Sequence, residues 1–385
     1  MYLKVLNVLK KLWGLQSSGW KSLLVAFIIC LILIIIPTGF EDAVIYQGTD
    51  KVKAEVVEVD NSAIKDAGLI RTGEQICKVY LKAGKFKGQT REAINLLTGS
   101  LAQDKEFKVG DLAMVVVSND GENVSSITMI DHFRIGWEIV LLVIFALLLI
   151  LFSGPVGIRA LFSFIISVLS IWKILIPACL KGINPILVGL FLVTFLTIVI
   201  ISFVYGVDKK SLAAIMGSML GVIVACLLSI FFTHVLKIHG AIMTDSESLL
   251  YSGYQNLNLT NIFMAGIFIG ASGAMMDLSV DITSGIAEVI RKKPDITRWE
   301  AMASGIRIGQ AATGTMTTTL LLAYAGSCTS QLMVFMAQGT PIVNILNYKY
   351  VASEILQTLV GSFALVTVAP FTAVVAGILL VKRDR

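Results

Sequence analysis

Asp277 and Asp281 stand four residues apart in an otherwise apolar segment, and they continue a series of small and polar residues at Gly266, Gly270, Gly273, Ser284 and Glu288. Steps of three and four put all seven on one face of a helix. A carboxylate at the centre of a membrane-spanning segment costs about 3 kcal/mol on insertion scales, so it is retained where it has a partner or a task. The expected chemistry is the handling of a cation, a proton or a cationic group from a bundle interior lined by carboxylates. Asp277 falls well inside the span, while Asp281 lies closer to its cytoplasmic end.

The following apolar segment carries a second face of this kind. Arg307, Ala311, Gly314, Thr318 and Ala325 recur at helical spacing. Most of the threonines around them are expected to bond their own preceding carbonyls. Thr315 and Thr318, which flank Gly314, are expected to line the site together with Asp277 and Asp281. Arg307 lies about as far from the shared cytoplasmic loop as Asp281, so the two are expected to form an ion pair that could act as a gate. Gly266, Gly270, Gly273 and Gly314 are read as a seam for close helix packing.

Enzyme motifs fare less well. Gly270, Ala271, Ser272 and Gly273 spell the GxSG that surrounds the serine of rhomboid proteases, but that chemistry needs a histidine base following the serine, and His132, His234 and His239 all precede it. An aspartyl intramembrane protease needs carboxylates on two helices, whereas Asp277 and Asp281 share one. The histidines have no ligand spacing, and the cysteines at 30, 77, 179, 226 and 328 are scattered singly. The chain is expected to be no enzyme and to hold no cofactor and no metal.

These faces need a bundle to position them, and composition supplies one. The 385 residues are 56% hydrophobic and only 15% charged, with a mean hydropathy of +0.83, values that belong to a polytopic membrane protein. The net charge of +5 is dispersed over short loops and tails, with no basic stripe interleaved with aromatics, so nucleic acid is not expected as a partner. Apolar runs near residues 20–39, 136–152, 160–180, 186–206, 212–236, 259–285, 308–336 and 353–380 make about eight spans. Lysines and arginines place both termini in the cytoplasm. Residues 1–20 read as an amphipathic surface helix leading into an uncleaved anchor. Lys173 is read as snorkelling to the outer interface, and Glu138 and Glu354 as lying among head groups.

Residues 41–134 change character. Alternating runs at 52–59, 75–83, 90–96, 112–117 and 124–131, punctuated by Gly84, Gly88, the Val109 to Asp111 turn and a hairpin signal at Asp120 and Gly121, read as five strands of a small OB-like or SH3-like barrel. The expected organisation is therefore an anchor at 1–40, an extracytoplasmic β domain at 41–134 and a seven-helix bundle at 135–385.

GASGAMMDLSVDITSGIAEV paired with SGIRIGQAATGTMTTTLLLAYAG resembles the YibE/F family of bacterial multi-pass membrane proteins. The second segment is similar to the family pattern IGRDxxGTMxNTLxLAY at Ile308, Gly309, Gly314, Thr315, Met316, Thr319, Leu320, Leu322, Ala323 and Tyr324. It departs at Gln310, Ala311 and Thr318, where arginine, aspartate and asparagine are usual. The resemblance implies this architecture and a bacterial plasma membrane.

The leading expectation is a transporter, or a subunit of a transport complex, for an ion or small solute. The rival is a scaffold whose β domain binds a partner while the bundle anchors it. Expected partners are the lipid bilayer, a second copy or a paralogous membrane protein, and the solute.

Overall fold

The computed structural model describes residues 18–41, 43, 48–119 and 123–381. The expected surface helix before residue 18, the hairpin tip at Asp120 and Gly121 and the basic tail after 381 lie outside the described residues. The chain divides into two compact units, residues 41–148 and a second unit formed by 1–40 with 149–385.

The first unit is a barrel of β1 (Thr49–Asp60), β2 (Ile64–Asp66), β3 (Arg71–Leu81), β4 (Thr90–Thr98), β5 (Leu112–Asn119) and β6 (Val124–His132). All five expected runs are strands; β2 is a three-residue addition paired to β3. The sheet runs β1-β5-β6-β4-β3, and β1 also pairs with β3, which closes the ring. One strand can serve two neighbours because a bulge between Val56 and Glu58 bends β1, whose first half pairs with β5 and whose second half pairs with β3. The contact between β4 and β6 is parallel. Alternation then fills the interior with Ala54, Val56, Cys77, Val79, Leu81, Val115 and Val117.

One polar cluster sits inside. The Gln75 amide donates to the Asn61 side chain at 2.9 Å and to the Phe107 carbonyl at 3.1 Å, and its oxygen accepts from Phe107 N–H and from Asn95, each at 3.0 Å. Gln75 and Asn95 are essentially inaccessible, and they fasten the 99–111 connection to the barrel wall.

The helices are α1 (Ser18–Ile35), α2 (Ile135–Ser170), α3 (Ile176–Leu180), α4 (Pro185–Tyr205), α5 (Lys209–Val235), α6 (Ser246–Tyr251), α7 (Leu259–Lys292), α8 (Arg298–Ser327), α9 (Thr329–Ala337), α10 (Ile342–Asn347) and α11 (Lys349–Leu380). Their starts follow local sequence. Asn184 caps α4 ahead of Pro185, and Asp208 and Asn258 cap α5 and α7. Thr297 and Glu300 form a reciprocal capping box on α8.

Among the described residues, five elements are long and apolar enough to cross a bilayer, and α8 with α9, bent by 62° at Cys328, makes a sixth if the pair is one span. The difference from eight has two sources. The described apolar part of α1, Ser22–Ile35, is short, and the expected spans at 136–152 and 160–180 form one 46-residue element through a π turn at Ile171–Leu175. That element is interrupted at Gly154, whose backbone (φ 56°, ψ −131°) is open to glycine alone and is followed by Pro155.

In the second unit, α5, α7, α8 and α11 pack around one core that includes Val222, Phe268, Met275, Leu278, Ile282 and Val368. Glycines set the closest approaches: Gly221 abuts Val368, and Gly309 abuts Ala369 and Ile282. Lys173 does not simply snorkel; its ammonium donates to the Ile36 carbonyl just past α1, at 3.1 Å.

Candidate functional site

α7 is the central helix of its unit and is buried along its apolar side by α4, α5 and α11. Its polar side is left over. Gly266, Gly270, Gly273, Asp277, Asp281, Ser284 and Glu288 are all exposed. The spacing therefore put them on one face as expected, but that face does not line the interior of the chain. The apolar residues at the intervening positions, Ile267, Ala271, Met275, Leu278 and Ile282, occupy the interior instead and turn the carboxylates outward.

The second face joins the first along one edge. α8 returns beside α7, with Ile308 filling the space over Gly285, and Ile286 and Ile282 reaching Gly305 and Gly309. This register brings Arg307 level with Gly285 and Gly314 close to the level of Asp277. Arg307, Ala311, Gly314, Thr315 and Thr318 are exposed, like the stripe beside them.

The expected ion pair between Arg307 and Asp281 is not formed. Ion pairs of α7, α8 and their turn, among the described residues, join Glu288 to Arg291 and Lys292, and Lys293 to Glu300. Arg307 and Asp281 project from the outward face at depths about one helical turn, 5.4 Å, apart. The two threonines lie on this face with their hydroxyls turned to their own helix. Thr315 donates to the Ala312 carbonyl at 2.9 Å and Thr318 to the Gly314 carbonyl at 3.0 Å, so both hydroxyl protons are used within the helix. Their lone pairs remain as acceptors. As for the packing glycines, Gly270 meets the Tyr324 hydroxyl of α8, while Gly266, Gly273 and Gly314 have open space where a β-carbon would stand.

Ser272 is buried on the opposite side of α7 and donates to the Ile269 carbonyl at 2.7 Å. His234 is engaged with the Ile230 carbonyl, and His239 accepts from Ala241 N–H.

Three features escaped sequence reading. Tyr205, at the end of α4, stands near Asp277 and Asp281. Nearby, Ser284 shares a 120 Å³ cavity with Tyr205, Asp208 and Lys210. At the other end of the stripe, Gly266 opens into a cavity of about 790 Å³ lined by Asp245, Glu247, Ser327, Glu354 and Gln357. Glu354 accepts from the Ser327 hydroxyl at 3.2 Å there and lines the cavity. The signal for Glu354 was present, as an acid near the start of an apolar helix. Tyr205 gave none, because tyrosine at a helix end is ordinary in membrane proteins. The polar line thus runs from an acidic cavity along small residues to two carboxylates, then to a cation-bearing end.

The sequence model of the YibE/F-like protein family matches residues 141–382, which take in α4 to α11, the polar face and the cavity at its mouth. No curated protein and no solved structure is a match. The family match covers more than half of the chain and coincides with the helices that carry the stripe; this membrane protein belongs to the YibE/F-like family.

Proposed function

We propose that the chain is a transporter, or a subunit of a transport complex, for an ion or a small cationic solute in a bacterial plasma membrane. In this reading the chain crosses eight times, both termini are cytoplasmic, and the barrel, OB-like in its closed order and its parallel β4 to β6 contact, lies outside. The observation that carries the reading is the continuity of the polar face, from the 790 Å³ cavity through Gly266, Gly270 and Gly273 to Asp277 and Asp281. Small residues leave width for a solute, and a carboxylate at depth supplies a transient counter-charge. Asp277 is the ligand, Asp281 and Arg307 carry opposite charges toward the cytoplasmic end without touching, and the lone pairs of Thr315 and Thr318 are further acceptors.

The test is flux in proteoliposomes across a panel of monovalent and divalent cations and protons. Asp277→Asn is expected to abolish the flux supported by the wild type at unchanged protein abundance. Wild-type protein without flux for any of them would remove the reading.

A second reading, the anchored scaffold, draws on the barrel. Leu69 and Leu101, 84% and 77% exposed, flank a groove of about 290 Å³. Apolar residues so placed suit a protein partner. A scaffold would tolerate Asp277→Asn and fail on deletion of residues 44–131.

A further inference from the structure

The joined faces of α7 and α8 are open to the outside of the chain. Asp277, Asp281 and Arg307 are exposed there, and the ion pairs of these helices among the described residues go to other groups. Gly273 and Gly314 have no atom within 4 Å of a would-be β-carbon, so the face is also a shallow groove. Three ionisable groups in bilayer-spanning helices cannot be left to hydrocarbon, which offers neither charge nor hydrogen bonds.

The charge pattern selects what covers them. Acids stand on α7 and a cation on its antiparallel neighbour, so the face carries both signs side by side. Turned about a two-fold axis, such a face offers its cation to its own acids. We propose that this face is the contact between two copies of the chain, a symmetric dimer about an axis along the bilayer normal, with Asp281 paired to the partner subunit's Arg307 and the reciprocal pair across the axis. Rotation about that axis preserves depth, and the one-turn offset between Arg307 and Asp281 is within the length of an extended arginine side chain. Gly273 and Gly314 let the helices of the two copies approach closely. A single chain cannot close this pair; two copies close it twice. The inference is independent of whether the protein moves a solute, and its test measures association only.

The experiment co-expresses two full-length copies carrying different tags. Asp281→Arg in both copies sets arginine against arginine at both contacts, and Arg307→Asp in both sets acid against acid. Each is expected to lower co-purification of the two tags at least about tenfold. One copy with Asp281→Arg and the other with Arg307→Asp restores opposite charges at both contacts, and co-purification is expected to return to within about twofold of wild type. Pairing within one chain predicts no rescue, because each copy keeps its own mismatch; lack of rescue by variants that accumulate overturns the proposal. Where the variants fail to accumulate, disulfide cross-linking in native membranes decides. Gly273→Cys in one copy with Thr318→Cys in the other, at one depth on facing helices, is expected to give a band at twice the 41.6 kDa chain mass under oxidation. Ile198→Cys, exposed on the apolar side of α4, and the unaltered chain, whose own cysteines are buried or half-buried, are expected to stay monomeric. No band from the Gly273→Cys and Thr318→Cys pair, or an equal band from Ile198→Cys, overturns the proposal.

Discussion

Ser279 and Thr372, 93 residues apart in sequence, share a hydrogen bond of 3.1 Å between fully buried hydroxyls of α7 and α11. The same threonine stands over Gly217 of α5, where a β-carbon would lie only 2.8 Å from the Thr372 Cα. Three helices therefore meet at one point. Thr372→Val removes one hydroxyl of similar volume and is expected to cost about 1 kcal/mol, the usual net worth of such a bond. Gly217→Val drives a branched side chain into the α11 backbone and is expected to cost several times more, with loss of folded protein. Thermal melts in detergent would rank the two, and equal melting temperatures would refute this account.

The barrel makes a separate prediction. Gln75→Leu takes the side-chain partner from both the N–H and the carbonyl of Phe107 in the interior, while the Asn95 amide keeps its bond to the Lys105 carbonyl. Each stranded group is worth about 1–3 kcal/mol, so the loss should exceed that of any surface substitution on the same strand. Residues 44–131 are expected to fold as a fragment, and chemical denaturation of that fragment with and without the substitution measures the difference. A fragment with random-coil amide dispersion would mean that the unit is not autonomous.

Stability of the barrel should also depend on pH at both ends. Backbone N–H from Thr98 and Gly99, with the Thr98 hydroxyl, holds the Asp104 carboxyl below its ordinary range, and the Arg134 guanidinium does so for Asp131. Their contribution is present above the unfolded value of about 3.9 and is lost as pH falls through the lower folded values. Burial pushes the Cys77 thiol from 9.0 up to about 11. The neutral thiol is favoured in the fold, so stability falls as pH rises from about 9 toward 11. Melting temperature against pH should show both limbs, and Cys77→Ala should flatten the alkaline one while leaving the acid one.

Topology gives a fourth prediction. A straight helix of 46 residues would be about 69 Å long at 1.5 Å per residue, more than twice a hydrocarbon core of about 30 Å. Interrupted at Gly154, it is expected to make two passes. A reporter active only outside the membrane should then work after Gly121 and be silent after Lys293 and after Gly154. Activity at Gly154 would make the element a single pass.

Much of this was legible in the sequence because it depends on period. The seven-residue stripe on α7 and the alternating strands follow from spacings of 3.6 and 2, and Thr297 with Glu300 announced the start of α8. The direction in which the stripe points was not legible. Which side of α7 is covered depends on where α4, α5 and α11 settle, and those contacts join residues far apart, such as Phe268 with Gly189. Equal distance of Arg307 and Asp281 from their loop gave a plausible depth for a pair, yet spacing is silent on whether two side chains face one another. Ser279 and Thr372 were invisible for the same reason, since a lone hydroxyl in an apolar helix usually bonds its own turn. In the barrel, the parallel meeting of β4 and β6 at Ile94 and Thr128 comes from closure of the ring, which no local run of residues encodes.

The bond from Lys173 to the Ile36 carbonyl sets an order of events during synthesis. α1 emerges first, and the carbonyl past its last turn must wait for a donor 137 residues later in the chain. At 5–20 residues per second that wait is roughly 7 to 27 s. Throughout it the whole barrel is made, and the Ile36 carbonyl is without this donor. α1 therefore acquires this bond only after the barrel has been synthesised, and an arrest before residue 173 should leave α1 more open to proteolysis than it is in the finished chain.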